Sequence, residues 1–260
     1  MPAWGWVTAT VADLRREPQA RAERVSQLPI FTPVEILFAQ PGWYQVRGPD
    51  GYTGWAREAQ IQLGELPPPL WKVRVPWAPV REARGQRLLG WMPLDARFSG
   101  PAEGNKVFLR WPSGETAWVA KRDVYPAAWV GSGRDLLRLA EGLVGVPYLW
   151  GGTTPFGFDC SGFVQRLFHF VFNHWLPRDS QDQQGAGVKI LAFSALQPGD
   201  LLCFPGHVGL FMGRGVLAHA SATLGRVTLT PLEAKDPYGQ ELRREFLFGV
   251  RPLQLASAHF

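Results

Sequence analysis

The sequence predicts an α+β fold in which a domain of helices packed on an antiparallel sheet follows two small β-barrels. Three observations favour this fold. The first half repeats one pattern of short strands at an offset of 63 residues, helical spacing begins at residue 134, and short strands return after residue 200. Helices followed by a run of strands are typical of α+β domains. The 29 glycines and 23 prolines among 260 residues fit short strands joined by tight turns.

The repeat in the first half indicates two related domains. Five residues are identical within nine positions, namely Arg47 and Arg110, Pro49 and Pro112, Gly51 and Gly114, Thr53 and Thr116, and Trp55 and Trp118. Each copy predicts a strand, a Pro-x-Gly turn and a second strand, and therefore a small β-barrel. Residues 66–69 read Leu-Pro-Pro-Pro, which is typical of a stiff linker. The predicted domains are residues 1–65, 70–126 and 130–255.

The third domain is predicted to start with two helices. Apolar residues recur at helical spacing over 134–144, with Ser132 as the N-cap, and a second, mostly buried helix is expected to begin at Cys160. A polar stripe on the second helix consists of Gln165, His169 and Asn173. The histidines expected to face solvent are His169, His174 and His259. Five strands are predicted over 200–204, 207–212, 216–220, 226–230 and 246–251.

Composition and charge exclude several classes of protein. Aromatic residues make up 13% of the chain, which is too many for a disordered segment. No run of about 18 apolar residues occurs, so we expect no membrane partner. The net charge of +5 is dispersed along the chain, so we expect no nucleic acid partner. The first 18 residues lack the basic and apolar regions of an export signal, which predicts a cytoplasmic location.

Cys160 is the candidate nucleophile. It opens the second helix, where free backbone N–H groups favour the thiolate and are expected to lower the pKa of the thiol. His207 and His219 stand at strand positions, as a base and a group that orients the base would. The other cysteine, Cys203, is expected to be a packed core thiol. Because there are no paired cysteines and no fourth ligand, we expect no metal, and no cofactor is implied.

Taken together, these segments resemble the NlpC-type cell-wall peptidases. The matching motifs, in the family's order, are Tyr148-Leu149-Trp150-Gly151-Gly152, Phe158-Asp159-Cys160-Ser161-Gly162-Phe163, Arg178-Asp179-Ser180, Gln197-Pro198-Gly199-Asp200-Leu201, His207-Val208-Gly209 and His219-Ala220. The first repeat resembles bacterial SH3-like domains, whereas the second lacks the early Pro and has Ala117 in place of a Gly. The resemblance implies a papain-like fold with a Cys-His-His triad. Two SH3-like domains in front of it are typical of the γ-D-glutamyl-L-diamino acid endopeptidase, or dipeptidyl-peptidase VI, subgroup.

The resemblance implies a role for each matching residue. Cys160 would be the nucleophile, His207 the general base and His219 the residue that orients His207. Tyr148 matches the family tyrosine whose hydroxyl faces the oxyanion, opposite the backbone N–H of Cys160. The residues matched to substrate binding are Asp179, Ser180, Glu17 and Tyr52 for a free amine, and Asp159 and Ser161 for a γ-D-glutamyl group.

Simpler explanations of these binding residues stay open. Asp179 and Ser180 are capping residues that can start a helix. Glu17 can belong to a turn, and Tyr52 can be a strand residue packed beside a tryptophan. Tyr148 can be an ordinary interfacial aromatic.

The implied activity is hydrolysis of the γ-D-glutamyl-L-diamino acid bond of small murein peptides with a free N-terminal L-Ala. The product would be L-Ala-γ-D-Glu, and the implied setting is the recycling of cell-wall peptides. The alternatives are a general peptidoglycan endopeptidase without the N-terminal requirement, an amidase or acyltransferase, and a wall-peptide binding protein without activity. No residue matches recognition of a particular diamino acid, and a monomer is the default expectation.

Overall fold

The computed structural model describes residues 3–232 and 236–253. The chain divides into two compact units, Met1–Trp129 and Val130–Phe260, which are described separately. The four α-helices described all lie in the second unit. Among the described residues, no helix is long and apolar enough to cross a membrane.

The first half of the first unit is one antiparallel sheet. Its strands are β1 (Ala3–Val7), β2 (Val11–Arg15), β3 (Arg24–Pro29), β4 (Pro33–Gln40), β5 (Trp43–Arg47), β6 (Thr53–Arg57) and β7 (Ile61–Leu63). They pair in the order β3-β2-β6-β5-β4-β1-β7. Alternate residues such as Ala12 and Leu14 are buried and pack with Val7, Val34 and Val46, as expected where one face of each strand lines a core.

The second half of this unit has the same strand order with one strand divided. Its strands are β8 (Trp71–Val73), β9 (Trp77–Glu82), β10 (Leu88–Pro93), β11 (Arg97–Phe98), β12 (Ala102–Glu103), β13 (Lys106–Arg110), β14 (Thr116–Ala120) and β15 (Val124–Pro126). They form two sheets, β10-β9-β14-β13-β12 and β11-β8-β15, in which β12 and β11 occupy the place of β4. Gly100 lies between these two strands, where a Cβ would stand 1.9 Å from the carbonyl oxygen of Phe108.

The repeat predicted from sequence is confirmed element by element. Strands β5, β6 and β7 recur as β13, β14 and β15, with every first and last residue shifted by 63 positions. Gly51 and Gly114 both have positive φ, 80° and 102°, which favours glycine at the same place in each turn. Backbone N–H groups of these glycines close the turns, with N···O distances of 3.0 Å and 2.9 Å to Gly48 and Trp111.

A common hydrophobic cluster joins the two halves of the first unit. Phe31 of the first half stacks on Trp6 at a ring separation of 5.7 Å and meets the edge of Trp111, from the second half, at 6.0 Å. These rings pack in one cluster with Val80 and Val107 of the second half. The boundary between domains 1–65 and 70–126 therefore stays a prediction.

The second unit begins with the two predicted helices. Its helices are α1 (Gly133–Gly142), α2 (Cys160–Phe172), α3 (Ser180–Gln183) and α4 (Pro237–Glu245). Ser132 caps α1 as predicted, since its side chain accepts a hydrogen bond from the Asp135 N–H while the Asp135 carboxylate accepts from the Ser132 N–H. Helix α2 begins at Cys160 as predicted and ends at Asn173, which adopts the left-handed conformation.

The second unit also contains an antiparallel sheet of six strands and a separate two-stranded hairpin. The strands of the unit are β16 (Thr153–Thr154), β17 (Gly157–Phe158), β18 (Gly187–Ile190), β19 (Leu201–Phe204), β20 (His207–Gly213), β21 (Val216–Ser221), β22 (Arg226–Pro231) and β23 (Phe248–Pro252). β16 and β17 form a small hairpin, and the large sheet has the order β18-β23-β19-β20-β21-β22. All five predicted strands occur, and α2 packs against β20 and β21. The predicted α+β class is confirmed.

The polar stripe of α2 is buried, so the prediction that His169 faces solvent is wrong. The His169 ring stacks on Trp175 at 3.5 Å, and the Gln165 side chain donates to the carbonyl oxygen of Leu176 at 3.0 Å. The segment that follows the helix folds back and covers the stripe, which periodicity within the helix cannot predict. His174 is partly buried, and His259 lies outside the described residues.

Candidate active site

Asp159 fixes the start of helix α2 and so the position of Cys160. One of its carboxylate oxygens accepts the backbone N–H of Gly162 at 2.7 Å, which caps the helix. Its other oxygen accepts the backbone N–H of Gly151 at 2.9 Å. The carboxylate thereby ties the preceding loop to the first turn of the helix, where Cys160 is 9% exposed.

Arg178 forms a buried ion pair with Asp159, the residue just before Cys160. Its guanidinium donates to both carboxylate oxygens of Asp159 and, at 2.9 Å, to Ser161 Oγ. All three side chains are buried, and the ion pair with added hydrogen bonds compensates for removing both charges from water. Asp159 and Ser161, predicted to contact a γ-D-glutamyl group, therefore have firm partners inside the protein.

Two glycines, Gly152 and Gly162, allow the loop before Cys160 to pack tightly against the helix. A Cβ on Gly152 would lie 2.2 Å from the carbonyl oxygen of Gly157. A Cβ on Gly162 would lie 2.2 Å from the carbonyl oxygen of Gly152. Since real Cβ atoms do not approach so closely, these positions require glycine, and any side chain there would displace the helix start.

The two candidate histidines belong to a line of hydrogen-bonded side chains on the strands that pack against α2. The backbone N–H of Val208, the residue after His207 in β20, acts to lower the pKa of the Cys160 thiol. His207 Nε2 lies 2.8 Å from His219 Nδ1, and His219 Nε2 lies 3.0 Å from Thr230 Oγ1. The structure thus brings His207 and His219 together as the resemblance implies. It adds Thr230 at the far end of the line.

Burial keeps these groups neutral. It raises the pKa of the Cys160 thiol to about 11, and the nearby Asp159 carboxylate raises this pKa as well. The backbone N–H groups of Val208 and Ser161 act to lower the pKa, but their effect is smaller. The expectation of a lowered thiol pKa is wrong, because burial outweighs the hydrogen bonds at the helix start. Burial also lowers the pKa of His207 to about 4 and that of His219 to about 3. At neutral pH the resting pair is a thiol and a neutral imidazole.

Tyr148 is close enough to Cys160 for the two groups to influence each other's charge. Burial raises the pKa of its hydroxyl to about 12, and the charges of Cys160 and Asp159 contribute in the same direction. The hydroxyl therefore stays protonated and is able to donate a hydrogen bond. Backbone bonds hold the residue on both sides, with its N–H 2.8 Å from the carbonyl oxygen of Gly225 and a bridge to Phe158. The proposed oxyanion contact stays a prediction.

Asp179 and Ser180 lie at the start of the short helix α3. Asp179 is its N-cap residue and is exposed, whereas Ser180 is partly buried. Gln183, on the next turn, donates from one amide nitrogen to the carbonyl oxygens of Ser161 at 3.0 Å and Pro177 at 2.8 Å. These bonds anchor α3 to the first turn of α2. The helix that the simpler explanation predicted is present, and the two side chains are also held near the nucleophile's helix.

Glu17 and Tyr52 belong to the first unit. Glu17 is exposed in the bend after β2, and Tyr52 is partly buried just before β6. The bend is held by Arg15, which donates to the carbonyl oxygen of Ala22 at 3.0 Å and pairs with Asp13. The proposed contact of Glu17 and Tyr52 with a substrate amine stays a prediction.

Sequence reasoning missed two residues of this site, Arg178 and Thr230. Arg178 belongs to a matched motif, but its burial depends on the ion pair with Asp159, which forms only in the folded chain. Thr230 follows from strand register, because Thr228 lies opposite His219 and Thr230 is two residues further on the same face. Among residues 3–232 and 236–253, no group of three or more His, Cys, Asp or Glu side chains is placed to hold a metal ion.

Comparisons with known proteins agree with the layout of the two units. The family model described as NlpC/P60 family matches residues 145–244, and the one described as Bacterial SH3 domain matches residues 10–62. A γ-D-glutamyl-L-lysine dipeptidyl-peptidase of Bacillus cereus is 33% identical over 88% of this chain and 77% of its own length. The enzyme of the same name from Bacillus subtilis is 32% identical over 68% of this chain, and the match spans 62% of that relative.

A crystal structure of an NlpC/P60 family protein from Bacillus cereus shares the fold. It superposes with a TM-score of 0.82 over 96% of this chain and 99% of that one, at 22% sequence identity. At that identity the likeness concerns the fold. It supports an NlpC/P60 fold for this chain, and the bacterial SH3 match covers the first half of the first unit.

Proposed function

This chain belongs to the NlpC/P60 family, and we propose that it is a cysteine peptidase that cleaves the γ-D-glutamyl-L-diamino acid bond of murein peptides. The substrate carries a free N-terminal L-Ala, and the product is L-Ala-γ-D-Glu. The observation that carries the proposal is the pair of His207 and His219, whose imidazoles lie 2.8 Å apart on strands that pack against the helix opened by Cys160. The relatives named γ-D-glutamyl-L-lysine dipeptidyl-peptidases support the choice of bond.

The proposed reaction proceeds from a neutral pair. As the sulfur of Cys160 bonds to the γ-carbonyl carbon of D-Glu, the thiol proton passes to His207. The C–N bond then breaks, and His207 gives the proton to the leaving amine of the diamino acid. Water attacks the thioester, its proton goes to His207 and from there to the departing sulfur, and L-Ala-γ-D-Glu is released. Tyr148 donates to the oxyanion in both steps.

The amine of the N-terminal L-Ala needs compensation for the water that it loses. We assign this to the Asp179 carboxylate and the Ser180 hydroxyl, which α3 holds beside the first turn of α2. Glu17 and Tyr52 are the proposed contribution of the first unit. A binding site for this amine limits the enzyme to short, unblocked peptides, which fits recycling of murein fragments in the cytoplasm.

The first experiment tests the nucleophile. Purified protein is incubated with L-Ala-γ-D-Glu-L-Lys, and the products are separated by chromatography and identified by mass spectrometry. We expect L-Ala-γ-D-Glu and lysine, and loss of both in Cys160→Ala. Cys203→Ala is the matched control, since Cys203 is a fully buried thiol in β19 and its loss should leave turnover intact. Undiminished cleavage by Cys160→Ala would refute the mechanism.

The second experiment tests the free amine. Acetylation of the L-Ala nitrogen should abolish cleavage, and Asp179→Asn should reduce kcat/KM for the free peptide alone. Asp182→Asn is the control because Asp182 is an exposed carboxylate on the same helix. Equal rates on free and acetylated peptides would favour a general peptidoglycan endopeptidase instead. Replacing the L-Lys by other diamino acids in the same assay identifies the preferred third residue.

A further inference from the structure

We propose that Thr230 is a positioning residue of the catalytic centre, which fixes the tautomer of His219 and through it the base function of His207. The proposal deepens the proposed function and rests on the roles given there to the two histidines. It extends the line of catalytic side chains to a fourth member on the neighbouring strand β22.

The geometry places the Thr230 hydroxyl against one ring nitrogen of His219. Thr230 Oγ1 lies 3.0 Å from His219 Nε2, within hydrogen-bond distance. His219 is fully buried and Thr230 is 3% exposed, so water does not compete freely for this nitrogen. The Tyr238 ring lies over the face of His219 at 6.1 Å, while the Tyr238 hydroxyl is 2.7 Å from Ser221 Oγ. Tyr238 therefore packs on the ring of His219, whereas Thr230 is the hydrogen-bond partner of His219 Nε2.

The direction of each hydrogen bond follows from what the base must do. His207 has to receive the thiol proton at Nδ1, so its own proton must stand on Nε2. His207 Nε2–H then donates to His219 Nδ1, which must carry no proton. The proton of neutral His219 accordingly stands on Nε2 and is donated to Thr230 Oγ1. With this tautomer, His219 Nδ1 accepts from His207 both before and after His207 becomes an imidazolium.

Loss of the hydroxyl would free the other tautomer. If the proton of His219 moved to Nδ1, two N–H groups would face each other across the 2.8 Å between the histidines. His207 would then have to carry its proton on Nδ1 to relieve the clash, and Nδ1 could no longer accept from the thiol. The expected effect falls on kcat, while KM stays unchanged, because Thr230 acts through His219 and not on the substrate.

The test compares Thr230→Val with Thr230→Ser. Valine keeps the shape and removes the hydroxyl, whereas serine keeps the hydroxyl. We expect kcat of Thr230→Val to fall by about 10-fold to 100-fold, by analogy with the loss of hydrogen-bond partners that orient metal-ligating histidines, and Thr230→Ser to restore it. Thr228→Val is the matched control, since Thr228 is a threonine of the same strand opposite His219. Its kcat should stay at the wild-type value.

A second readout does not depend on the substrate. In protein labelled with ¹⁵N-histidine, NMR at neutral pH distinguishes Nε2–H from Nδ1–H, and His219→Asn assigns the signal. We expect Nε2–H in the wild type and in Thr230→Ser, and its loss in Thr230→Val. An unchanged tautomer or an unchanged kcat in Thr230→Val overturns the proposal. If the wild type does not cleave the murein tripeptide, the proposed function fails, and the tautomer still decides the role of Thr230.

Discussion

Replacing Arg178 by methionine is expected to lower the stability of the second unit. Arg178 is 4% exposed and donates three hydrogen bonds, two to the carboxylate of Asp159 and one to Ser161 Oγ. Methionine retains most of the apolar stem but leaves the Asp159 carboxylate buried without its counter-charge. The backbone N–H groups of Gly151 and Gly162 still point at that carboxylate, but they carry no net charge.

The expected loss in the free energy of unfolding follows from the burial of the ion pair. Removing one member of a buried ion pair costs about 3–5 kcal/mol, because the remaining charge stays buried. For a unit of this size that corresponds to a fall in Tm of about 10–20 °C. Urea unfolding followed by tryptophan fluorescence, together with thermal melting, measures both quantities. Arg138→Met is the control, since the Arg138 side chain is 75% exposed and lies 3.9 Å from Asp135. The control should stay within about 0.5 kcal/mol of the wild type.

A double-mutant cycle separates this explanation from a substrate contact. Asp159→Asn alone removes the negative charge that faces the Arg178 guanidinium. Arg178→Met and Asp159→Asn should therefore destabilise by less in combination than their sum, by about 1–3 kcal/mol. If Arg178→Met unfolds within about 1 kcal/mol of the wild type and yet abolishes cleavage, the reasoning is refuted. Arg178 would then act on the substrate.

Three further predictions concern the nucleophile and the glycines around it. Because burial raises the pKa of the Cys160 thiol to about 11, its alkylation by iodoacetamide, followed by mass spectrometry, should keep accelerating from pH 7 to pH 10; a plateau near pH 8 would contradict this. Gly152→Ala should lower the free energy of unfolding by about 1–3 kcal/mol and reduce cleavage, because the new Cβ would lie 2.2 Å from a backbone oxygen. Gly142→Ala, at a position with open space, is its control in the same urea titration. Gly209→Ala would set a Cβ 2.6 Å from Leu217 Cδ1, at the end of a side chain, and 2.9 Å from His219 Cβ. We expect the loss of kcat, expressed as a free energy, to exceed the loss in the free energy of unfolding, and equal losses would argue for general misfolding.

The predictions that were confirmed depend on residues that are close together in the sequence. The capping box at the start of α1 needs two polar residues three positions apart, and Ser132 and Asp135 supply them. The strand–turn–strand repeat depends on a glycine at the turn, and Gly51 and Gly114 mark both copies. Cys160 at the start of α2 follows from the apolar spacing of the helix. The roles of the residues around it came from the family resemblance, not from spacing.

Features that depend on distant parts of the chain escaped prediction. The buried side of α2 at His169 is set by Trp175, which reaches it through the turn at Asn173. The raised pKa of Cys160 results from burial in the folded protein, which the position of a residue at a helix start does not indicate. Arg178 acquires its role through a carboxylate 19 positions earlier. In each case a contact made only in the folded chain decides what the local sequence pattern does not.

Strand β22 links the two sides of the proposed catalytic centre. Its C-terminal half carries Thr230, which bonds His219, and its N-terminal half pairs with the segment that holds Tyr148. The Val227 N–H donates to the carbonyl oxygen of Val146 at 2.7 Å, and the carbonyl oxygen of Gly225, just before the strand, accepts the Tyr148 N–H at 2.8 Å. This edge strand therefore helps to set the positions of Tyr148, the proposed oxyanion donor, and of Thr230, the proposed positioning residue. Because a shift of this strand would move both, the sequence of β22 is expected to influence kcat at positions that never touch the substrate.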